Sequence, residues 1–207
     1  MSYWTAATYN CVLFCLEHAC LRSWRSELLA SLEGSVLELG AGTGVNLNYY
    51  SNHIEKLTLV EPDPFMRRRL ARKLEGHVLC PLVSILDTSA EALSLDDATV
   101  DAVVGTLVLC SVTDVAQVIY EACRVLRPGG RLHLIEHIAA TAGSSRRRWQ
   151  DCLEPTWTRV SGGCHLLRDP RLEILAAGFK PLQVAERELR AVPAFLKPAL
   201  FGSWIKT

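Results

Sequence analysis

Two carboxylates and three glycines carry the most chemical information in this 207-residue chain. The run Val36-Leu37-Glu38-Leu39-Gly40-Ala41-Gly42-Thr43-Gly44 takes a short apolar strand straight into a glycine-rich bend. Glycines there let the backbone turn tightly and let a ligand approach the main chain with no Cβ in the way. Glu61 stands seventeen residues after Gly44, at the end of a second apolar run, Leu57 to Val60. A carboxylate at that place can accept hydrogen bonds from both hydroxyls of a ribose. Taken alone, Glu61 is equally well a solvated acid at a strand end. With the glycine bend and an intervening helix in register, ribose binding is the better reading.

The bend also discriminates between ligands. A dinucleotide is held by G-x-G-x-x-G, with a helix N-terminus aimed at its pyrophosphate. Here the third glycine comes one residue earlier, and Glu38 sits two residues before Gly40. A carboxylate beside the bend repels pyrophosphate and suits a cationic nucleoside that bears an amino acid.

Short apolar runs alternate with helical stretches, which predicts a parallel sheet with helices on both faces. Strands are expected at Val36–Leu39, Leu57–Val60, Pro81–Leu86, Val100–Leu109 and Leu132–Ile138. A helix is expected from Pro64 to Leu74, with proline in its first turn. Another, capped by Thr113 or Asp114, should run to about Leu126 and stop at Arg127-Pro128-Gly129-Gly130. Asp169-Pro170 should open a later helix that Gly178 closes. Leu182–Leu189 and Ala199–Ile205 read as two final strands in an antiparallel edge hairpin, making seven in a Rossmann-like, mostly parallel sheet.

Length and balance bound the function classes. One α/β domain accounts for residues 1–207. Basic and acidic residues number 22 each, so there is no electrostatic footprint for nucleic acid. The clusters Arg67–Arg69 and Arg146–Arg148 read as solvated helix faces. None of the eight cysteines has CxxC spacing, so no metal is expected, and their apolar settings suggest reduced thiols in a cytoplasmic compartment. No apolar stretch is long enough to predict a membrane span. Residues 1–30 should form a helical cap over the site. Its apolar stretch Tyr9–Leu21, followed by Arg22 and Arg25, also suits peripheral membrane contact.

Further motifs complete a pattern. Ser89-Ala90-Glu91-Ala92-Leu93 precedes Asp96-Asp97-Ala98-Thr99-Val100-Asp101-Ala102-Val103-Val104, and Arg124-Val125-Leu126-Arg127-Pro128-Gly129-Gly130 precedes the fifth strand. Together with E-L-G-A-G-T-G and the acid after strand two, they resemble the class I S-adenosylmethionine-dependent methyltransferases. Thr106-Leu107-Val108-Leu109-Cys110-Ser111-Val112, Glu136-His137-Ile138-Ala139-Ala140, Trp149-Gln150, Pro155-x-Trp157 and Gly163-Cys164 resemble the animal methyltransferase-like thiol S-methyltransferases more narrowly.

The resemblance implies S-adenosylmethionine as cofactor and a small-molecule acceptor, a thiol first. It implies that Glu38, Gly40, Gly42 and Gly44 shape the methionine pocket. Glu61 would hold the ribose, with Pro62, Asp63 and Met66 nearby. Ser89, Ala90 and Glu91 would flank the adenine, and Thr106 and Leu107 would leave strand four close to the methyl group. A lipid-like acceptor, such as a quinone or phospholipid, is a second reading, and a non-catalytic cofactor-binding module a third. A nucleic-acid acceptor is not expected, because no N/D-P-P-Y/F motif follows strand four.

His137 is the candidate catalytic base, by its place at the end of strand five and its capacity to titrate near neutrality. A histidine bonded to backbone is the alternative. Cys110 and Cys164 read as buried packing residues, with pocket lining as the other option, and Asp151 and Glu154 as helix surface. Residues 141–168, following strand five, are either a substrate lid or a plain connecting helix.

Overall fold

The computed structural model describes residues 16–207. Most of the apolar stretch Tyr9–Leu21, and the first half of the expected cap, lie outside the described residues. A π-helical turn, Glu17–Leu21, leads into α1 (Arg22–Leu29). There follow β1 (Gly34–Leu39), β2 (Ile54–Val60), α2 (Pro64–Leu74), β3 (Val83–Leu86), β4 (Val100–Thr106) and α3 (Val115–Val125). The chain continues through β5 (Leu126–His137), α4 (Ser145–Val160), α5 (Arg171–Ala176), β6 (Phe179–Glu188) and β7 (Pro198–Lys206).

The seven strands lie in the order β3-β2-β1-β4-β5-β7-β6. Every pair from β3 to β5 is parallel, while β7 runs antiparallel between β5 and β6. The edge hairpin read from the two final runs is therefore present. The chain moves from β1 outward to β3 and then returns to the other side of β1 as β4. That reversal makes the gap between the carboxyl ends of β1 and β4 the switch point, where sheets of this type bind ligands.

Side chains alternate across each strand, so the parallel strands feed two cores. On one face Val36, Leu57, Leu59 and Val104 pack with Trp24, Leu28 and Leu29 of α1 and Leu70 of α2. On the other, Leu37, Leu39, Val103 and Leu134 pack with Val118, Ile119 and Ala122 of α3 and Ile174 of α5. The buried positions Leu21, Trp24, Arg25, Leu28 and Leu29 recur at helical spacing, which turns α1 to the first face. Helices α2 and α3 start as the sequence suggests. Asp63 accepts hydrogen bonds from the Phe65 and Met66 amides with Pro64 at the first turn, and Asp114 accepts from the Gln117 amide at 3.0 Å.

Several elements differ from expectation: β2 starts at Ile54 and β6 at Phe179, each three residues early, and the helix expected between the glycine bend and Glu61 is only a 3-10 turn, Val45–Asn48. β4 stops at Thr106 rather than Leu109, because Leu107 takes φ +55° and turns the chain out of the sheet. A leucine in that region is strained, and such strain concentrates at functional sites. β3 starts at Val83, since Cys80–Leu82 forms a 3-10 turn. β5 starts early: Leu126 pairs with Val100, and the pairing resumes at Arg131 after an irregularity that absorbs the Pro-Gly-Gly turn. Among the described residues no helix is long and apolar enough to cross a membrane.

Candidate functional site

The glycine bend leaves β1 at the switch point. Gly40, Gly42 and Gly44 all take positive φ (60°, 57° and 76°), a region only glycine occupies cheaply. Their surroundings differ. A Cβ on Gly40 would lie 2.4 Å from Cγ2 of Val108, and one on Gly44 2.6 Å from Cδ1 of Leu70. A Cβ on Gly42 would come no closer than 4.0 Å to its nearest neighbour, the Gly40 carbonyl. Gly40 and Gly44 are thus required by packing, whereas Gly42 borders open space that a ligand can enter. Gly40→Ala should cost about 2 kcal/mol through strain and overlap together, read as a lower urea midpoint at an unchanged m-value.

Glu61 faces the same space. Its Oε2 accepts from the Gly42 amide at 2.8 Å and its Oε1 from the Asp63 amide at 2.9 Å. The carboxyl is 7% exposed, and burial raises its pKa against the pull of those two amides. Each oxygen keeps lone-pair capacity beyond its one amide. A carboxylate clamped by the bend, beside a side-chain-free approach, fits a vicinal diol and hence an adenosine. Pro62 and Asp63 continue into α2, where Met66 is buried, and Arg67 holds the Glu61 and Pro62 carbonyls at 2.8 and 2.6 Å.

Glu38, 2% exposed, sits at the centre of a buried polar network that the sequence does not announce. Its Oε1 accepts from Asn46 Nδ2 at 2.8 Å and its Oε2 from the Tyr50 hydroxyl at 2.6 Å. Asn46 Nδ2 also reaches Thr106 Oγ1 at 3.1 Å. Arg25 of α1 closes the network: Nη1 donates to Asn46 Oδ1 at 2.5 Å and to Thr106 Oγ1 at 2.9 Å, while Nε pairs with Glu17 at 3.0 Å. Glu17 in turn accepts from the Tyr49 hydroxyl at 2.8 Å. The network joins α1, the end of β1, the residues after the bend and the end of β4. Burial pushes the Glu38 carboxyl up to about 7, against its bonds to Tyr50 and Asn46. Arg25, Asn46 and Tyr50 are the residues that sequence reasoning missed.

On the far side, Ala90 is buried and Glu91 accepts from the Thr113 amide at 2.7 Å and from the Ser89 hydroxyl. This fixes the 89–93 loop against the start of α3. Leu107 donates its amide to the Ile135 carbonyl at 2.8 Å. The turn at Leu107 exposes the next two amides, and Glu136 Oε1 accepts both, from Val108 at 2.9 Å and Leu109 at 3.0 Å. Burial raises the Glu136 carboxyl to about 7.

His137 does not join this assembly. Its strand position opposes Ala199 of β7, its ring is 4% exposed, and burial lowers its pKa to about 4 despite the nearby Phe195 carbonyl. At pH 7 the ring is neutral, the form a base needs, and burial makes it a weak one. Glu154 is also corrected. It is not helix surface but anchors the turn after α4, accepting from the Leu166 amide at 2.6 Å and pairing with His165 at 2.8 Å. Asp151 is exposed and paired with Arg147, as expected of a surface acid.

These buried groups set a pH dependence. Glu38 and Glu136 hold protons in the fold to about pH 7 but release them near 4.5 when unfolded, so their contribution falls as pH rises across that window. His133 and His137 titrate near 4 in the fold and near 6.5 unfolded, so theirs rises until about 6.5. The two trends oppose each other below 6.5. Above it the carboxyls dominate, and the urea midpoint at pH 8 should lie below that at pH 6.5.

The comparisons follow this geometry. The methyltransferase domain family matches residues 37–134, from within β1 to within β5. The chain is 39% identical over 155 residues to thiol S-methyltransferase TMT1B of Rattus norvegicus, covering 74% of this chain and 63% of that protein. It is 32% identical over 197 residues to TMT1B of Homo sapiens, covering 90% and 80% respectively. The chain belongs to the class I S-adenosylmethionine-dependent methyltransferases, in the family of the thiol S-methyltransferases. A phosphatidylethanolamine N-methyltransferase of Cereibacter sphaeroides is 30% identical over 148 residues, covering 69% of this chain and 71% of that protein. Among solved structures, a geranyl diphosphate methyltransferase in complex with GPP and sinefungin superposes with a TM-score of 0.71 at 15% identity, covering 89% of this methyltransferase and 76% of that chain. The likeness at that identity is one of fold.

Proposed function

We propose that this methyltransferase acts on a small thiol. The observation that carries the cofactor side is the Gly42 amide on the Glu61 carboxylate beside open space. The thiol side rests on the kinship with thiol S-methyltransferases. In this reading Glu38, Gly40, Gly42 and Gly44 form the methionine pocket, and Glu61, Pro62, Asp63 and Met66 the ribose pocket. Ser89, Ala90 and Glu91 flank the adenine, and Thr106 and Leu107 face the reacting end. Bound there, S-adenosylmethionine supplies an electrophilic methyl group on sulfur.

The protein's part is to align the acceptor, exclude water and hold its own charges still. A thiol makes little demand on the candidate base, His137, because it is already partly ionised near neutral pH. Residues 141–168 serve as the lid. Supporting this, Arg168 ties down the Leu109 and Val112 carbonyls, and Gln150 binds the Ala140 amide at 2.7 Å, so the segment lies across the ends of β4 and β5.

A panel with labelled cofactor tests the acceptor. Hydrogen sulfide and alkyl thiols should be methylated at least tenfold faster than quinols or amines, and the reverse order removes the thiol reading. The second reading, a lipid-like acceptor, is favoured by the likeness to the phosphatidylethanolamine enzyme. It requires vesicle co-sedimentation and turnover of a vesicle-borne acceptor, and also covers peripheral membrane contact.

A further inference from the structure

The turn after α4 closes onto the exit of β4. The His165 amide donates to the Cys110 carbonyl at 2.7 Å, and a Cβ on Gly163 would lie 3.7 Å from the Ser111 carbonyl. Residues on both sides of Cys164 thus touch Cys110 and Ser111, which brings together two cysteines far apart in sequence, Cys110 and Cys164. Neither is in a disulfide. Cys110 Sγ also lies 3.7 Å from the carbonyl of the strained Leu107. The pair therefore sits where the chain leaves the sheet beside the proposed reacting end.

The two sulfurs are chemically unequal. Cys110 is buried, near the Glu136 carboxyl, and its thiol is held protonated by its neighbour Cys164 first and by burial second. Cys164 is partly accessible, and Cys110, the Trp157 side chain and the Arg168 charge favour its thiolate. Gly162 and Gly163 both take positive φ just before Cys164, a backbone that can shift with little strain. Such a shift is what lets the sulfurs of two segments already in backbone contact reach the ~2 Å of a disulfide.

We propose that Cys110 and Cys164 are a redox modification site, forming a reversible disulfide under peroxide that pins the 161–165 turn to the β4 exit and slows methyl transfer. Cys164 thiolate attacks a peroxide oxygen, the O–O bond breaks, and the sulfur becomes a sulfenic acid as the other oxygen leaves as hydroxide, which takes up the proton released when Cys164 ionised and becomes water. Cys110 sulfur then displaces the sulfenic oxygen, which departs with the thiol proton as a second water. Two thiols are oxidised and one peroxide is reduced.

The test uses the full, reduced chain, treated with equimolar hydrogen peroxide, desalted, alkylated and digested without reductant. Peptide mapping should find a peptide joining Cys110 to Cys164. Cys110→Ser and Cys164→Ser should each abolish it. The initial rate of methyl transfer should fall at least threefold and return with a phosphine reductant, which adds no thiol acceptor to the assay. Cys164 oxidised alone with Cys110 still alkylated, or a bridge through the exposed Cys80 or Cys152 instead, overturns the site. A Cys110–Cys164 bridge with an unchanged rate overturns the effect on transfer, which rests on the proposed function. A chain that transfers no methyl group before oxidation counts against that function, and the peptide map still decides the bridge.

Discussion

Replacing Glu61 by alanine is expected to raise the dissociation constant for S-adenosylmethionine at least tenfold, ~1.4 kcal/mol or more. Two losses combine. The proposed ribose hydroxyls lose a charged acceptor, where such bonds contribute roughly 1.5–3 kcal/mol each. The Gly42 and Asp63 amides also lose the carboxylate that orients them, so the bend itself loosens. Glu61→Gln separates the contributions. It keeps one carbonyl acceptor and should fall between wild type and alanine. Calorimetric titration of the three proteins gives the order directly, and equal affinities in all three would remove Glu61 from the cofactor site.

Arg25→Ala should destabilise the fold by about 3 kcal/mol, the cost of deleting one partner from a buried charged network. For a chain of this size that corresponds to a drop of roughly 6–12 °C in melting temperature. The guanidinium is 5% exposed and serves Glu17, Asn46 and Thr106 at once. Without it Asn46 Oδ1 is left without its donor beside Glu38, and the carboxyl that borders the glycine bend loses one of the two positive charges, with Lys73, that act on it. Arg25→Lys cannot reproduce the fork and should recover less than half of the loss. Pairing Arg25→Ala with Glu17→Gln should give strongly non-additive effects in a double-mutant cycle. A change under 2 °C for Arg25→Ala would mean that the network is not holding α1 to the site.

The parts of the site that were legible in sequence are those encoded by local spacing. Gly40, Gly42 and Gly44 announce a bend because few other conformations use three such residues, and Glu61 follows directly on the next strand, where the chain must return to the same edge. Arg25, Asn46 and Tyr50 were not legible. Their partners are distant in sequence, and only the packing of α1 on the sheet brings Arg25 to Thr106. The burial of His137 was hidden for a similar reason. Strand alternation puts His137 on the same face as Ile135, but nothing local shows that β7 and the Phe195 segment cover it. Glu154 looked solvated because its partners, His165 and Leu166, arrive only after the turn that follows α4. The early end of β4 could not be read at all, since leucine rarely takes the left-handed conformation that Leu107 adopts.

Adenosine is expected to lie past Gly42 with its ribose on Glu61. A crystal structure with S-adenosylhomocysteine tests this most directly. Both ribose hydroxyls should lie within hydrogen-bond distance of the Glu61 carboxylate, with the nucleoside running along the open side of Gly42. A nucleoside bound elsewhere, or a ribose that turns away from Glu61, would contradict it.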